Sequence, residues 1–142
     1  MFTYVSSSPK MTMDIAAKIS KSFKGGEIVA LKGDLGMGKT CFVKGLALGL
    51  GFCGEVTSPT FAIVNEYIGG RLDLFHFDMY RVTGWDDLYS TGYFEYTQQG
   101  GVVAIEWSEN IEGALDDDVI TVKFERISDN ERKITVSGGG AE

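Results

Sequence analysis

Histidine occurs once in this sequence, at His76, and cysteine twice, at Cys41 and Cys53. The cysteines form no CxxC pair and no second histidine stands near them. A zinc centre, which needs several such ligands close together, is therefore not expected. Both cysteines read as small apolar residues of a reducing compartment. Arginine is scarce as well, limited to Arg71, Arg81, Arg126 and Arg132, and the net charge is −7 with a pI near 4.7. Tight, direct binding to nucleic acid draws on a basic face, so this balance argues against it. An acidic surface is compatible with a basic protein partner. No apolar run is long enough to cross a bilayer. The opening "MFTYVSSSPK" has neither the basic head nor the apolar body of a secretory signal, so the expected location is the cytoplasm.

What the sequence does contain is 142 residues with 44% hydrophobic content, enough for one domain with a proper core. That domain is expected over residues 1–137, with "GGGAE" at 138–142 as a flexible tail. Ser8-Pro9 is a helix start, serine as cap and proline in the first turn. Ile15, Ile19 and Phe23 then share a helical face, and Gly25-Gly26 ends the run. "EIVALK" (27–32) reads as a buried strand. Phe42, Val43, Leu46, Ala47 and Leu50 fit a second helix ended by Gly51. "FAIVNEY" and "RLDLFHFDMY" are strand-like runs on either side of Gly69-Gly70, which predicts an antiparallel hairpin with a two-residue turn. "GWDDLYSTGYFEYTQQ" is helical with a break at Gly92. "GVVAIEW" reads as a central parallel strand. "VITVKFERI" and "RKITVS" form a hairpin around "SDNE". The expected fold is a single α/β P-loop NTPase domain, with a mixed, mostly parallel sheet, antiparallel hairpins and flanking helices.

Between the first buried strand and the second helix lies "GDLGMGKT", residues 33–40, a match to GxxxxGK[ST]. Glycines at such positions let successive backbone amides turn inward toward phosphate oxygens, and the helix that follows adds its positive end. Lys39 would reach the β- and γ-oxygens, and the Thr40 hydroxyl would ligate Mg²⁺. Asp34, Leu35, Gly36, Met37, Gly38, Lys39, Thr40 and Cys41 are the candidate cradle. Such a loop also needs a carboxylate at the end of a neighbouring strand. Glu106 emerges from the buried run Val102, Val103, Ala104, Ile105 at its carboxyl end, where α/β sheets bind ligands, and is favoured. Asp78, ending "LFHFD", competes with it. Thr57, Ser58 and Thr60 in "TSPTF" lie where switch-type hydrolases place a hydroxyl that senses the γ-phosphate, although proline with hydroxyl residues also makes an ordinary turn. His76, between Phe75 and Phe77, is either a packed strand histidine or an orienter of Asp78 or of a switch loop.

No NKxD stretch is present to read guanine, which argues for ATP or for loose base selection. Four arginines and no lid insertion argue against a nucleoside kinase. The readings left are a minimal ATPase that works with another protein, a nucleotide-dependent binding switch with incidental hydrolysis, or a small P-loop kinase.

"GDLGMGKT", "SPTF", "HFDMYR" and "IEW", in that order and spacing, resemble the TsaE (YjeE) family, small bacterial ATPases that help make threonylcarbamoyladenosine on tRNA. The resemblance runs from about "SSSPKMT" to the final hairpin. It implies ATP and Mg²⁺ as cofactors and TsaD-like and TsaB-like proteins as partners, with tRNA met only through that complex. Hydrolysis would reset the complex between turnovers. It further implies Lys39 and Thr40 on the phosphates and metal, Glu106 as a further metal-side residue, Asp78 as an acid needed for activity, and Trp107 as the family's tryptophan beside that glutamate. Thr12 and Arg132 match positions that contact nucleotide. Met37, where the family often has alanine, and Ser108 are departures outside the proposed chemistry.

Overall fold

The structure is a computed structural model that describes residues 2–33, 38–53 and 64–138. Asp34, Leu35, Gly36, Met37, Thr57, Ser58, Thr60 and the tail from 139 onward lie outside the described residues. Seven strands form one sheet in the order β1-β7-β6-β2-β5-β4-β3. They are β1 (Phe2–Ser6), β2 (Ile28–Lys32), β3 (Val64–Tyr67), β4 (Leu74–Asp78), β5 (Val102–Glu106), β6 (Ile120–Arg126) and β7 (Arg132–Ser137). The three pairings around β2 and β5 are parallel, whereas β3–β4, β6–β7 and β1–β7 are antiparallel. The sheet is mixed as expected, but its two kinds of pairing are balanced rather than mostly parallel, because β1 adds a further antiparallel edge.

Helices α1 (Pro9–Ser20) and α2 (Lys39–Gly49) cover one face, and the short α3 (Trp85–Ser90) and α4 (Tyr93–Thr97) belong with the other. α1 begins as its sequence dictates: the Ser8 hydroxyl accepts from the Met11 amide at 3.1 Å, and Pro9 occupies the first turn. Gly92, at φ 81°, separates α3 from α4, the predicted break. Strand alternation sends Val29, Leu31, Leu74, Val102 and Ala104 under α1 and α2, and Phe75, Phe77, Val103 and Ile105 to the opposite core.

The α1 face differs in detail from the expected Ile15–Ile19–Phe23 stripe. Those residues do meet the core, but the most buried positions of the helix are the small or polar Thr12, Ala16 and Ser20. They face α2 at a close seam. A Cβ on Gly45 would stand 2.3 Å from the Met13 carbonyl oxygen and 2.7 Å from the Ala16 Cβ.

The Gly69-Gly70 turn is also longer than expected. Tyr67 pairs with Leu74, so residues 68–73 form the connection. The reason is a docking interaction. The Arg71 amide donates to the Leu50 carbonyl at 2.6 Å. Its guanidinium donates to the carbonyls of Phe23 (2.7 Å), Ser20 (3.2 Å) and Lys21 (3.3 Å), satisfying acceptors at the end of α1. A two-residue turn could not reach that far.

Candidate functional site

The carboxyl ends of the parallel strands β2, β4 and β5 meet the start of α2, where the sheet's design places a ligand site. Gly33 leaves β2 at φ 145° with its α-carbon facing Phe124, where a Cβ would stand 3.0 Å from both the Phe124 Cβ and its carbonyl oxygen. Gly38 enters α2 at φ 95°, in the left-handed region that favours glycine. Lys39 follows in the first turn and is buried, an expensive place for an ammonium unless it is partnered. Its Nζ donates to the Gly33 carbonyl at 2.8 Å and lies 5.5 Å from the centre of the Trp107 ring. Thr40, next along, is exposed at the helix start.

Glu106 ends β5 directly opposite Asp78 of β4 and Leu31 of β2. Its carboxylate Oε2 lies 2.8 Å from the His76 Nε2, and both side chains are largely buried. Burial pushes the Glu106 carboxyl up, but the His76 hydrogen bond and the charges of His76 and Lys39 outweigh it and hold the group below its ordinary range. Its charge in turn adds to burial in pushing the Tyr67 phenol up. Asp78 is different: it is exposed, and its Oδ1 accepts from the Tyr80 amide at 3.0 Å in a local turn. His76 is therefore a packed strand histidine whose bond goes to Glu106 rather than to Asp78, one of the partners the sequence offered. His76 and Glu106 lie on the same sheet face, with Ala104 opposite the histidine leaving room for its ring. Phe75 and Phe77 sit on the other face.

Trp107 is the one non-glycine residue with positive φ among those described (φ 60°). That strained turn, of a kind that concentrates at functional sites, lays the indole beside Lys39 and against Tyr80, with ring centres 4.9 Å apart.

A second cluster builds the side of the site. A cavity of about 250 Å³ is lined by Thr12, Gly38, Cys41 and Arg132 with Ser6 and Asn130 among others. Four of the candidate cofactor residues are thus brought to one wall. The Ser6 hydroxyl donates to the Ser8 carbonyl at 2.9 Å and lies 2.7 Å from Thr12 Oγ1. With the Ser6 proton so used, Thr12 donates to Ser6 and keeps its lone pairs as acceptors. Arg132 is tied into the β6–β7 turn. Its Nη1 donates to the carbonyls of Ser128 (2.8 Å), Glu131 (3.0 Å) and Asp129 (3.4 Å), folding the β6–β7 turn against the cavity. Cys41 is half-buried on this wall, whereas Cys53 is exposed, unlike the apolar packing expected of both.

Ser6 and Asn130 were missed in the sequence. Strand β1 leaves Phe2 and Val5 exposed and buries Ser6, so its sequence lacks the usual contrast of buried apolar and exposed polar positions that marks a strand. A larger cavity of about 730 Å³ at the far end of α1, walled by Phe2, Tyr4, Phe23 and Val136, contains none of the candidate residues.

The residues present fit a nucleotide with its metal. The donors are an ammonium, a helix start with glycine on either side of the loop, a hydroxyl and a strand-end carboxylate. Among the described residues no cluster of three or more His, Cys, Asp or Glu could cage a metal alone. Mg²⁺ in phosphate sites takes one or two side chains and completes its shell from phosphate and water, so no cage is required. Among the same residues no helix is long and apolar enough to cross a membrane.

Comparison with known proteins converges on one family. The family model described as "Threonylcarbamoyl adenosine biosynthesis protein TsaE" matches residues 6–134. The tRNA threonylcarbamoyladenosine biosynthesis protein TsaE of Treponema pallidum is 41% identical over 94% of this chain and 98% of its own length. The protein of the same name from Bacillus subtilis is 41% identical over 93% of this chain and 82% of its own. The crystal structure of Bacillus subtilis YdiB superposes with a TM-score of 0.80 at 36% identity, covering 98% of this chain and 86% of that one.

Proposed function

The chain belongs to the TsaE family, and from that premise we propose that it binds and hydrolyses ATP with Mg²⁺ in the service of threonylcarbamoyladenosine formation on tRNA. The observation that carries the ATPase reading is the meeting of Lys39, Glu106 and the cavity of Thr12, Gly38, Cys41 and Arg132 at the carboxyl end of the central strands. The link to tRNA modification rests on family membership.

In this reading the 33–40 loop takes the phosphates, with base and ribose in the cavity beside Gly38. Lys39 exchanges the Gly33 carbonyl for β- and γ-phosphate oxygens, a stronger acceptor for an ammonium. Thr40 and Glu106 would hold Mg²⁺, which when bound neutralises charge on the phosphates. Glu106 is kept ionised by His76 and Lys39, as a metal-side carboxylate must be. Asp78, directly opposite on β4, is the second acid at the same end of the sheet and orients water or a switch segment. Trp107 walls Lys39 off from solvent and keeps its charge aimed at the phosphates.

TsaD-like and TsaB-like proteins are the proposed partners, the compartment is the cytoplasm, and hydrolysis resets the partner complex between turnovers. None of the four arginines reads as an internal arginine finger, a group that contributes several orders of magnitude to phosphoryl transfer. Hydrolysis is therefore slow in the isolated chain and faster in the complex. The test is ATP turnover by the purified chain alone and with TsaD, TsaB and tRNA, with Lys39→Ala as control. Stimulation that disappears in the variant supports the reading. Equal rates with and without partners overturn the resetting role, and absence of nucleotide binding overturns the whole reading.

A further inference from the structure

The stretch of β4 and β5 beneath α2 is apolar except for one interior side chain. Leu74, Val102 and Ala104 belong to the core there, while His76, between Leu74 and Asp78 on the same face, is buried with a polar ring. An aliphatic side chain would fill this position at lower desolvation cost. Among the described residues the compensation is one hydrogen bond, the 2.8 Å contact from Nε2 to Oε2 of Glu106. Register explains how they meet. His76 stands opposite Ala104, whose methyl leaves space, and Glu106 lies one pleat further on the same face. The other carboxylate oxygen, Oε1, has no hydrogen-bond partner among the described residues, and the Lys39 ammonium lies close enough for its charge to act on the group.

We propose that His76 is a positioning residue for nucleotide hydrolysis: it pins Oε2 of Glu106, fixes the rotamer of the carboxylate, and leaves Oε1 for the metal or its water. This rests on the reading of Glu106 given above. A glutamate side chain has three rotatable bonds, and a carboxylate free to sample them spends much of its time away from the reacting phosphate. The histidine removes that freedom without itself touching nucleotide. Partners of this kind, acting through a ligand, typically carry a 10- to 100-fold effect.

The experiment compares the full chain with His76→Leu and His76→Gln, the latter keeping an N–H donor at similar reach. Three quantities are read for each: affinity for a fluorescent ATP analogue, kcat with the partner proteins present, and the melting temperature. His76→Leu is expected to keep its fold and bind nucleotide within about twofold while losing about 10- to 100-fold in kcat. His76→Gln is expected to recover most of that loss. In a Glu106→Ala background, His76→Leu should have no further effect, since the two act as one unit. Retained kcat in His76→Leu, an additive double variant, or a parallel fall in affinity and melting temperature that glutamine does not rescue would each overturn the inference. Unchanged hydrolysis in Glu106→Ala alone would instead overturn the reading of Glu106 beneath it.

Discussion

The α1–α2 seam offers a sharp quantitative test, through Gly45→Ala. In an isolated helix this change is favourable by about 1 kcal/mol, because alanine is the better helix former. Here the new methyl would lie 2.3 Å from the Met13 carbonyl oxygen, 2.7 Å from the Met13 Cα and 2.7 Å from the Ala16 Cβ. Ordinary contact begins near 3.4 Å, so α1 must retreat by about an ångström. Two of the three opposing atoms are backbone, which cannot rotate aside. Overpacking of this sort costs about 1–3 kcal/mol, and a main-chain clash belongs at the upper end. The net expectation is a loss of about 1–2 kcal/mol, or about 2–8 °C in melting temperature for a domain of this size. The displacement also reaches the site. Thr12 sits one turn before Ala16 on the same face of α1 and lines the cavity with Gly38 and Cys41 of the α2 start. Nucleotide affinity should therefore fall several-fold along with stability. Thermal unfolding and titration with a fluorescent ATP analogue measure the two effects. Lys44→Ala, exposed and one residue earlier in α2, is the control and should stay within about 0.5 kcal/mol. A melting temperature that rises in Gly45→Ala by the propensity gain would refute the close seam and its link to the cavity.

Lys39→Ala removes the ammonium proposed to meet the phosphates and should weaken ATP binding at least tenfold, about 1.4 kcal/mol, in a binding titration. Glu106→Ala should cut turnover more than binding, and Asp78→Ala should do less, since Asp78 is exposed and committed to a local turn; steady-state kinetics of the pair decide between them. The pH dependence of stability has a definite sign. The folded Glu106 carboxyl titrates below its ordinary 4.5, so its contribution is present above that pH and is lost as pH falls through the lower folded value. Glu106→Gln should flatten that acid limb in urea melts taken between pH 3 and pH 6. Arg71→Ala, which leaves the end carbonyls of α1 uncapped, should cost about 1–2 kcal/mol in urea unfolding.

Much of this architecture is legible in the chain because it is local. The Ser8-Pro9 start of α1, the glycine loop between a buried strand and a helix, and the break at Gly92 are each written within a few residues. The parallel strand ending in Glu106 follows from its continuous apolar run. Features that depend on distant partners were not legible. The 68–73 connection is long because Arg71 answers carbonyls of residues about fifty positions earlier. His76 reads locally as a neighbour of Asp78, yet its partner is set by β4–β5 register. β1 is not legible because this edge strand buries a serine and leaves Phe2 and Val5 exposed. The bonds by which Arg132 folds the β6–β7 turn go to carbonyls that no sequence pattern announces.

The strand order also governs how the protein can come into being. The central strand β2 takes both its neighbours, β5 and β6, from the second half of the chain, and among the described residues β1 pairs with β7 alone. A ribosome that has released the glycine loop has therefore released it without the sheet that supports it. Glu106 and Trp107 arrive later, and Arg132 and its turn later still. Pairings so distant in sequence make folding slow relative to helical proteins of the same length. The nascent chain spends that interval with β2 unpaired on both sides, which exposes it to aggregation and to chaperones. The cavity wall formed by Ser6, Thr12 and Arg132 likewise joins residues from opposite ends of the sheet's chain order, so it exists only once β7 has paired with β1.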